Sequence, residues 1–268
     1  MKTPSQGLEA LAKMEYPGRL IIIGRDSAGE HNLVVYAITG RSPASQARGL
    51  VRVGEDTIKT QITDRAVLRT GNESLLIYNC IRRVRRDLAV SNGAQTDLIA
   101  KTMQDLRDRK VSTSPVDILA KTFGRPHLMA PTREGEGIDL SSYEPDAPNF
   151  TPRISGCVMN GAALIIVKRG PDGSALRRHF EVPLVPGKGK LIATYSGENT
   201  DPLPSFRGRP LDVELIGKTA EEVAETVYES MAPQGPGRDF RVGVVVIFAP
   251  TRSSPWKVAI IDKSAGQG

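Results

Sequence analysis

Two apolar runs, Arg153–Met159 and Ala162–Lys168, meet at the dipeptide Asn160–Gly161. Asn-Gly accepts the backbone angles of a two-residue turn whose twist suits paired strands, so this stretch predicts a tight antiparallel hairpin. The same grammar recurs along the chain. Arg19–Gly24 and Leu33–Thr39 are rich in β-branched residues and flank the polar turn Asp26–Asn32. Leu50–Val53 resumes a strand after the polar loop Gly40–Gly49. Leu75–Cys80 and Leu88–Val90 read as a pair around the basic stretch Arg82–Asp87, with most of its arginines on a solvated hairpin tip. Arg177–Val182 and Leu191–Ser196 read as a further pair, and Val242–Phe248 and Trp256–Ile261 as closing strands.

Helical spacing is rarer. A short helix is expected over Ser5–Met14, ended by the turn Tyr16–Pro17–Gly18. After Ser91–Asn92–Gly93, Thr96 can cap a helix carrying Leu98, Ile99, Met103 and Leu106 on one face. Pro115–Phe123 follows Ser114 as cap, with proline in the first turn. Thr219–Met231 has Thr219 as cap and acids where the helix dipole favours them. Gly124–Pro152 reads as a long irregular segment, which inside a domain usually serves function or is disordered. The order is strands, two helices, strands, one helix, strands, without β-α-β-α alternation. That predicts an α+β fold of antiparallel sheets and argues against a doubly wound parallel sheet. Residues 1–268 are expected to form one domain, with 1–15 as an N-terminal extension and 263–268 as a tail.

Composition narrows the function classes. Hydrophobic residues make up 39% and charged residues 25% of the 268, ordinary for a soluble protein. No apolar run is long enough to span a bilayer, and Met1–Met14 lacks the apolar region of a secretion signal. Two cysteines, Cys80 and Cys157, form no disulfide framework, so a cytoplasmic, reduced protein is expected. The net charge of +6 suits nucleic acid or a phosphorylated small molecule equally, but aromatic residues are only 5%, which leaves few stacking platforms. No GxxxxGK[ST] loop, HExxH or CxxC pair is present, so neither a nucleotide cofactor nor a metal is expected. The hairpin-rich sheets leave edges that a homo-oligomer could cover.

Three sets of residues carry a specific resemblance. Tyr78–Asn79–Cys80–Ile81–Arg82 precedes Ala89–Val90–Ser91–Asn92–Gly93–Ala94–Gln95–Thr96–Asp97. Tyr143–Glu144–Pro145–Asp146 leads into Asn149–Phe150–Thr151–Pro152–Arg153–Ile154, and Tyr16–Pro17–Gly18–Arg19 is followed by Gly40–Arg41–Ser42. In order and separation they resemble the signature stretches of the archaeal-type IMP cyclohydrolases, over most of residues 16–165. The resemblance implies a four-layer α-β-β-α sandwich of antiparallel sheets, similar to N-terminal-nucleophile hydrolases. Position one is Met, with no exposed Cys, Ser or Thr nucleophile in view, so the scaffold is expected without that chemistry.

It also implies an activity: cofactor-free closure of a formamido-imidazole carboxamide ribonucleotide to inosine monophosphate with loss of water. A carboxamide nitrogen is a poor nucleophile. An enzyme must hold the two arms together, remove a proton and stabilise an oxyanion. The resemblance assigns proton handling to Tyr78 and Glu144, with Arg48 polarising an oxyanion or gripping phosphate. Arg41, Asn79, Arg82, Asn92, Asp97 and Arg153 are implied to bind substrate. Read without the resemblance, Tyr78 is a core strand tyrosine, Glu144 a solvated loop carboxylate, and Arg41 and Arg48 mobile surface residues. Cys80 reads as a buried structural cysteine rather than a nucleophile, and none of the three histidines falls in a matching motif. The rivals are an amide hydrolase or another nucleotide-amide cyclase on the same scaffold and, further behind, a nucleic-acid-binding module.

Overall fold

The computed structural model describes residues 6–64, 66, 73–129, 137–251 and 255–263. The chain runs α1 (Glu9–Ala12), β1 (Arg19–Arg25), β2 (His31–Thr39), α2 (Pro43–Gln46), β3 (Arg48–Val53), β4 (Thr57–Ile62) and α3 (Glu73–Leu76). It continues through β5 (Asn79–Val84), β6 (Asp87–Ser91), α4 (Gln95–Asp108), α5 (Pro115–Phe123), β7 (Leu128–Met129) and β8 (Ile138–Asp139). The last part holds β9 (Arg153–Met159), β10 (Gly161–Arg169), β11 (Ala175–Glu181), β12 (Lys188–Ala193), β13 (Leu211–Glu214), α6 (Ala220–Ser230), β14 (Arg241–Pro250) and β15 (Lys257–Asp262).

Two antiparallel sheets result. One has the order β13-β12-β1-β2-β14-β15, the other β11-β10-β9-β6-β5-β4-β3, and β7 with β8 forms a separate small ladder. Alternation along β10 shows how they are layered. Leu164 and Ile166 enter the large core between the sheets, while Ala163, Ile165 and Val167 enter a second core under α4 and α5. Each such fully buried aliphatic side chain contributes roughly 1.5–3 kcal/mol. The first sheet meets the second where β1 packs on β9, β2 on β6, and β14 and β15 on β3. On its far side α6 lies across β14 and β15. The protein is therefore an α+β sandwich, with helices outside two antiparallel sheets.

The register gathers certain strand ends together. In the first sheet Arg19, opening β1, lies opposite Ile38 near the end of β2. In the second, Ser155 near the start of β9 lies opposite Ser91 at the end of β6, and β5 opens beside the end of β6. The motif residues thus sit at one end of the sandwich, where chain reversals leave side chains free for chemistry.

Several local expectations change. Leu75 and Leu76 belong to the one-turn α3, and the strand begins at Asn79, so Tyr78 lies just before it. β5 carries Arg82 and Arg83 within the strand, and the turn is only Arg85–Arg86, with Arg85 at φ 59°. Thr96 does not cap α4. The cap position is Ala94, without a side-chain bond, and the Thr96 hydroxyl donates to the Gly93 carbonyl from inside the first turn. The loop Gly40–Gly49 contains α2, capped by Ser42. The sequence reading misses β4, β7, β8 and β13, and the strands it pairs as Arg177–Val182 and Leu191–Ser196 fall in different sheets, β11 on β10 and β12 between β1 and β13. Ser114 caps α5 in a reciprocal capping box with Asp117, as its sequence predicts. Met1 and Ser5, residues 130–136 of the long irregular segment, and 264–268 of the expected tail lie outside the described residues. Among the described residues no helix is long and apolar enough to cross a membrane.

Candidate active site

Arg19 enters the site because Gly18 reverses the chain. At φ +74° Gly18 sits against Thr194 and the Tyr195 ring, where a Cβ would fall 2.6 Å from a ring carbon. The next residue opens β1, its N–H donating to Thr194 Oγ1 (3.1 Å), and its guanidinium Nη2 donates to Glu144 Oε1 at 2.9 Å. Glu144 is only 2% exposed, and its backbone N–H donates to the Thr151 carbonyl at 2.9 Å. It is no solvated loop carboxylate.

Arg153, opening β9, approaches the same Oε1 at 3.8 Å and is 1% exposed. A chain of amides fixes it. Arg153 Nη1 donates to Gln95 Oε1 (3.1 Å), and Gln95 Nε2 donates to Asn92 Oδ1 (2.9 Å). Asn92 also accepts the Ile154 N–H and donates to the Pro152 carbonyl, each at 2.9 Å, so its side-chain amide is used to hold the start of β9. Gly93 is required by this packing. A Cβ there would lie 2.5 Å from Gln95 Oε1 and 2.8 Å from Arg153 Nη1.

On the inner side, the Tyr78 and Tyr36 hydroxyls lie 2.7 Å apart, both rings buried between the sheets. Burial raises the pKa of both phenols, so both stay protonated at neutral pH. The charges of Arg19 and Arg48 oppose that rise in each, which places both tyrosines in the field of the same two guanidiniums. Arg48 is buried rather than mobile. It donates to the Ser45 carbonyl (3.1 Å) and the Thr39 carbonyl (3.3 Å). Beside Glu144, Thr151 Oγ1 bonds the Tyr195 hydroxyl at 2.6 Å and donates to Asp146, and burial pushes the Tyr195 phenol up to about 12.

Burial opposes the charge on Arg19, yet Glu144 together with Tyr78, Tyr195 and Tyr36 outweighs it and holds the guanidinium pKa above its ordinary value. For Arg153 burial prevails over Glu144, and the neighbouring Arg19 adds to the depression. Among the described residues, Arg19 Nε, Arg48 Nη1, and Arg153 Nε and Nη2 are buried with no hydrogen-bond partner. An unmet buried donor costs about 1–3 kcal/mol, more when charged, and native proteins seldom leave such groups without an acceptor from protein, water or a bound ion. Such an arrangement can receive an anion and stabilise an oxyanion.

Tyr78, Glu144, Arg48, Arg153 and Asn92 are thus brought into one network. The others stand apart. Asn79 Nδ2 donates to both Asp97 oxygens (3.1 Å each), and Arg82 Nη1 donates to Asp97 at 2.7 Å, pinning α4 to β5. Arg41 donates to the Thr200 carbonyl (2.9 Å) and pairs with the exposed Asp201. Sequence reasoning misses Arg19, Tyr36 and Gln95. Arg19 and Gln95 lie inside the quoted motifs, whereas Tyr36 looks like any core tyrosine of an apolar strand. Cys80 is buried, with its Sγ donating to the Ile58 carbonyl. Among the described residues no group of three or more His, Cys, Asp or Glu side chains could hold a metal ion.

Comparison with known proteins places the chain in a family. A family model described as "IMP cyclohydrolase-like protein" matches residues 16–123 and 116–236. A protein named IMP cyclohydrolase from Methanocaldococcus jannaschii is 24% identical over 79% of this chain and 85% of its own length. Proteins of the same name from Haloquadratum walsbyi and Methanococcus maripaludis are 27% and 24% identical, over 78% and 80% of this chain and 84% and 88% of theirs. The matched span takes in Arg19, Tyr36, Tyr78, the Asn92–Gln95 turn, Glu144 and Arg153 alike, and the chain belongs to the IMP cyclohydrolase-like family.

Proposed function

We propose that this chain is an IMP cyclohydrolase, closing 5-formamidoimidazole-4-carboxamide ribonucleotide to inosine monophosphate with loss of water. One observation carries the reading: Tyr78 and Glu144, far apart along the chain, are both buried, Glu144 paired with Arg19 and Tyr78 in the field of the same guanidinium, among arginine N–H groups that lack an acceptor.

In this reading the unpartnered donors of Arg153, Arg19 and Arg48 receive the phosphate and the developing oxyanion. Both guanidinium contacts to Glu144 fall on Oε1, so Oε2 is the oxygen that takes the proton from the attacking nitrogen. Tyr78, kept protonated by burial, donates to the formyl oxygen. Asn79, Arg82 and Asp97 act from behind, holding α4 and hence the Asn92–Gly93 turn in place. We read the sandwich as the scaffold of N-terminal-nucleophile hydrolases, in a cytoplasmic enzyme of purine synthesis.

Purified protein mixed with the formamido nucleotide, followed by absorbance as the second ring forms, tests the proposal. Acceleration over buffer supports it. Folded protein without acceleration overturns it.

A further inference from the structure

Tyr36 belongs to no motif that points to chemistry, yet its hydroxyl is hydrogen-bonded to that of Tyr78. It is fully buried on β2, with apolar neighbours Val35 and Ala37 also inaccessible. Its Oη lies 2.7 Å from Tyr78 Oη, within normal hydroxyl–hydroxyl bonding distance. Only one proton can lie between the two oxygens. Neither hydroxyl has another hydrogen-bond partner among the described residues, so the bond alone leaves either oxygen as the donor. Tyr78 is the less deeply buried of the two, at 4% against 0%, and is the phenol whose proton a bound nucleotide can meet, which leaves Tyr36 to donate and Tyr78 to accept. The proton of Tyr78 is then left for the substrate.

We propose that Tyr36 is a positioning residue, which by donating its hydroxyl to Tyr78 Oη fixes Tyr78 as a hydrogen-bond donor to the reacting nucleotide. The inference rests on the ring-closing reading above and adds an ordered pair of phenols to it. When the tetrahedral adduct loses water, its C–O bond breaks with the electron pair going to oxygen. Tyr78 supplies the proton that completes the water, the ring-nitrogen proton passes to Glu144, and the C=N bond closes. Tyr78 is briefly a phenolate, and the hydroxyl of Tyr36 is already aimed at it, together with the charges of Arg19 and Arg48. The proton then returns from Glu144 to Tyr78, and both groups are restored.

The test uses Tyr36→Phe and Tyr78→Phe, each of which keeps its ring and so the core volume. For Tyr36→Phe we expect kcat to fall about tenfold, with KM within about twofold, because the lost bond acts on the transition state. The alkaline arm of the kcat–pH profile moves to higher pH, since loss of the donated bond makes the Tyr78 phenolate harder to form. A second readout does not depend on activity. The shielded Tyr36 hydroxyl proton gives a slowly exchanging NMR resonance that is lost in Tyr36→Phe and moves upfield in Tyr78→Phe. A resonance that survives Tyr36→Phe and vanishes in Tyr78→Phe reverses the proton order and overturns the inference, as does an unchanged kcat in folded Tyr36→Phe. Should the wild-type protein fail to close the ring at all, the functional reading falls, while the resonance still decides the order of the pair.

Discussion

Gly93→Ala measures how tightly the polar chain behind Glu144 is fitted. The added Cβ would sit 2.5 Å from Gln95 Oε1 and 2.8 Å from Arg153 Nη1, well inside the roughly 3.5 Å at which non-bonded heavy atoms rest. Neither neighbour can swing clear, because Gln95 is held by Asn92 and the Arg153 side chain is buried beside Glu144. One must move, and the 3.1 Å bond between them opens. Losing a hydrogen bond to a charged group costs about 1.5–3 kcal/mol, and overpacking of this kind costs about 1–3 kcal/mol. The two overlap, so we expect a loss of about 2–4 kcal/mol, which in a protein of this size lowers Tm by about 5–12 °C. As Arg153 turns from its place, KM for the nucleotide rises about tenfold. Gly235→Ala is the control, since its added carbon meets nothing within 4 Å, and it should stay within about 0.5 kcal/mol of wild type. Thermal and denaturant unfolding with steady-state kinetics on both variants settle the matter. A Gly93→Ala protein with the Tm and KM of Gly235→Ala would refute the close packing argued for Arg153.

Glu144→Gln keeps the side chain's shape but leaves Arg19 and Arg153 facing a neutral amide; kcat should fall by at least about a hundredfold and stability by about 3 kcal/mol, measured by ring closure and urea unfolding. At the far end of the first sheet, burial favours the neutral form of Asp26, but hydrogen bonds from the His31 N–H and ring outweigh it and hold the carboxyl below its ordinary range. Its contribution is therefore complete above the unfolded carboxylate pKa near 4 and is lost as pH falls below that; acid unfolding of Asp26→Asn should show a shallower loss of stability between about pH 4 and 2 than wild type. Burial pushes both thiols, Cys80 and Cys157, well above the usual range, so a thiol reagent should find neither in the native protein and both after denaturation.

Much of the sandwich is legible in the chain, because its central strands are apolar runs bounded by turn residues. β9 and β10 form the hairpin that Asn160–Gly161 predicts, although Gly161 joins β10 opposite Met159 and leaves Asn160 alone between the strands, and α5 follows from Ser114 and Pro115. β4 carries a true alternation, with Ile58 and Thr60 buried between more exposed Thr57, Lys59 and Gln61, but its polar residues hide it in a stretch that looks like loop. Four-residue β13 is too short for any period to show. The start of β5 is misplaced because Leu75 and Leu76 look like strand residues until the turn of α3 claims them. The site is harder still. Composition and periodicity place Glu144 in a polar segment and Arg48 on a surface loop, and only folding buries them. Resemblance gathers Tyr78 and Glu144 into one function, but the pairs Arg19–Glu144, Tyr36–Tyr78 and Gln95–Arg153 are relations between distant segments that no local pattern encodes.

A crystal structure with inosine monophosphate bound tests the central claim most directly. The account predicts Tyr78 Oη and a Glu144 carboxylate oxygen both within about 2.6–3.2 Å of polar atoms of the newly closed ring or of a single bridging water, and at least one of the unpartnered arginine N–H groups on the phosphate. Product lying elsewhere on the protein, or touching only one of the two residues, would contradict it.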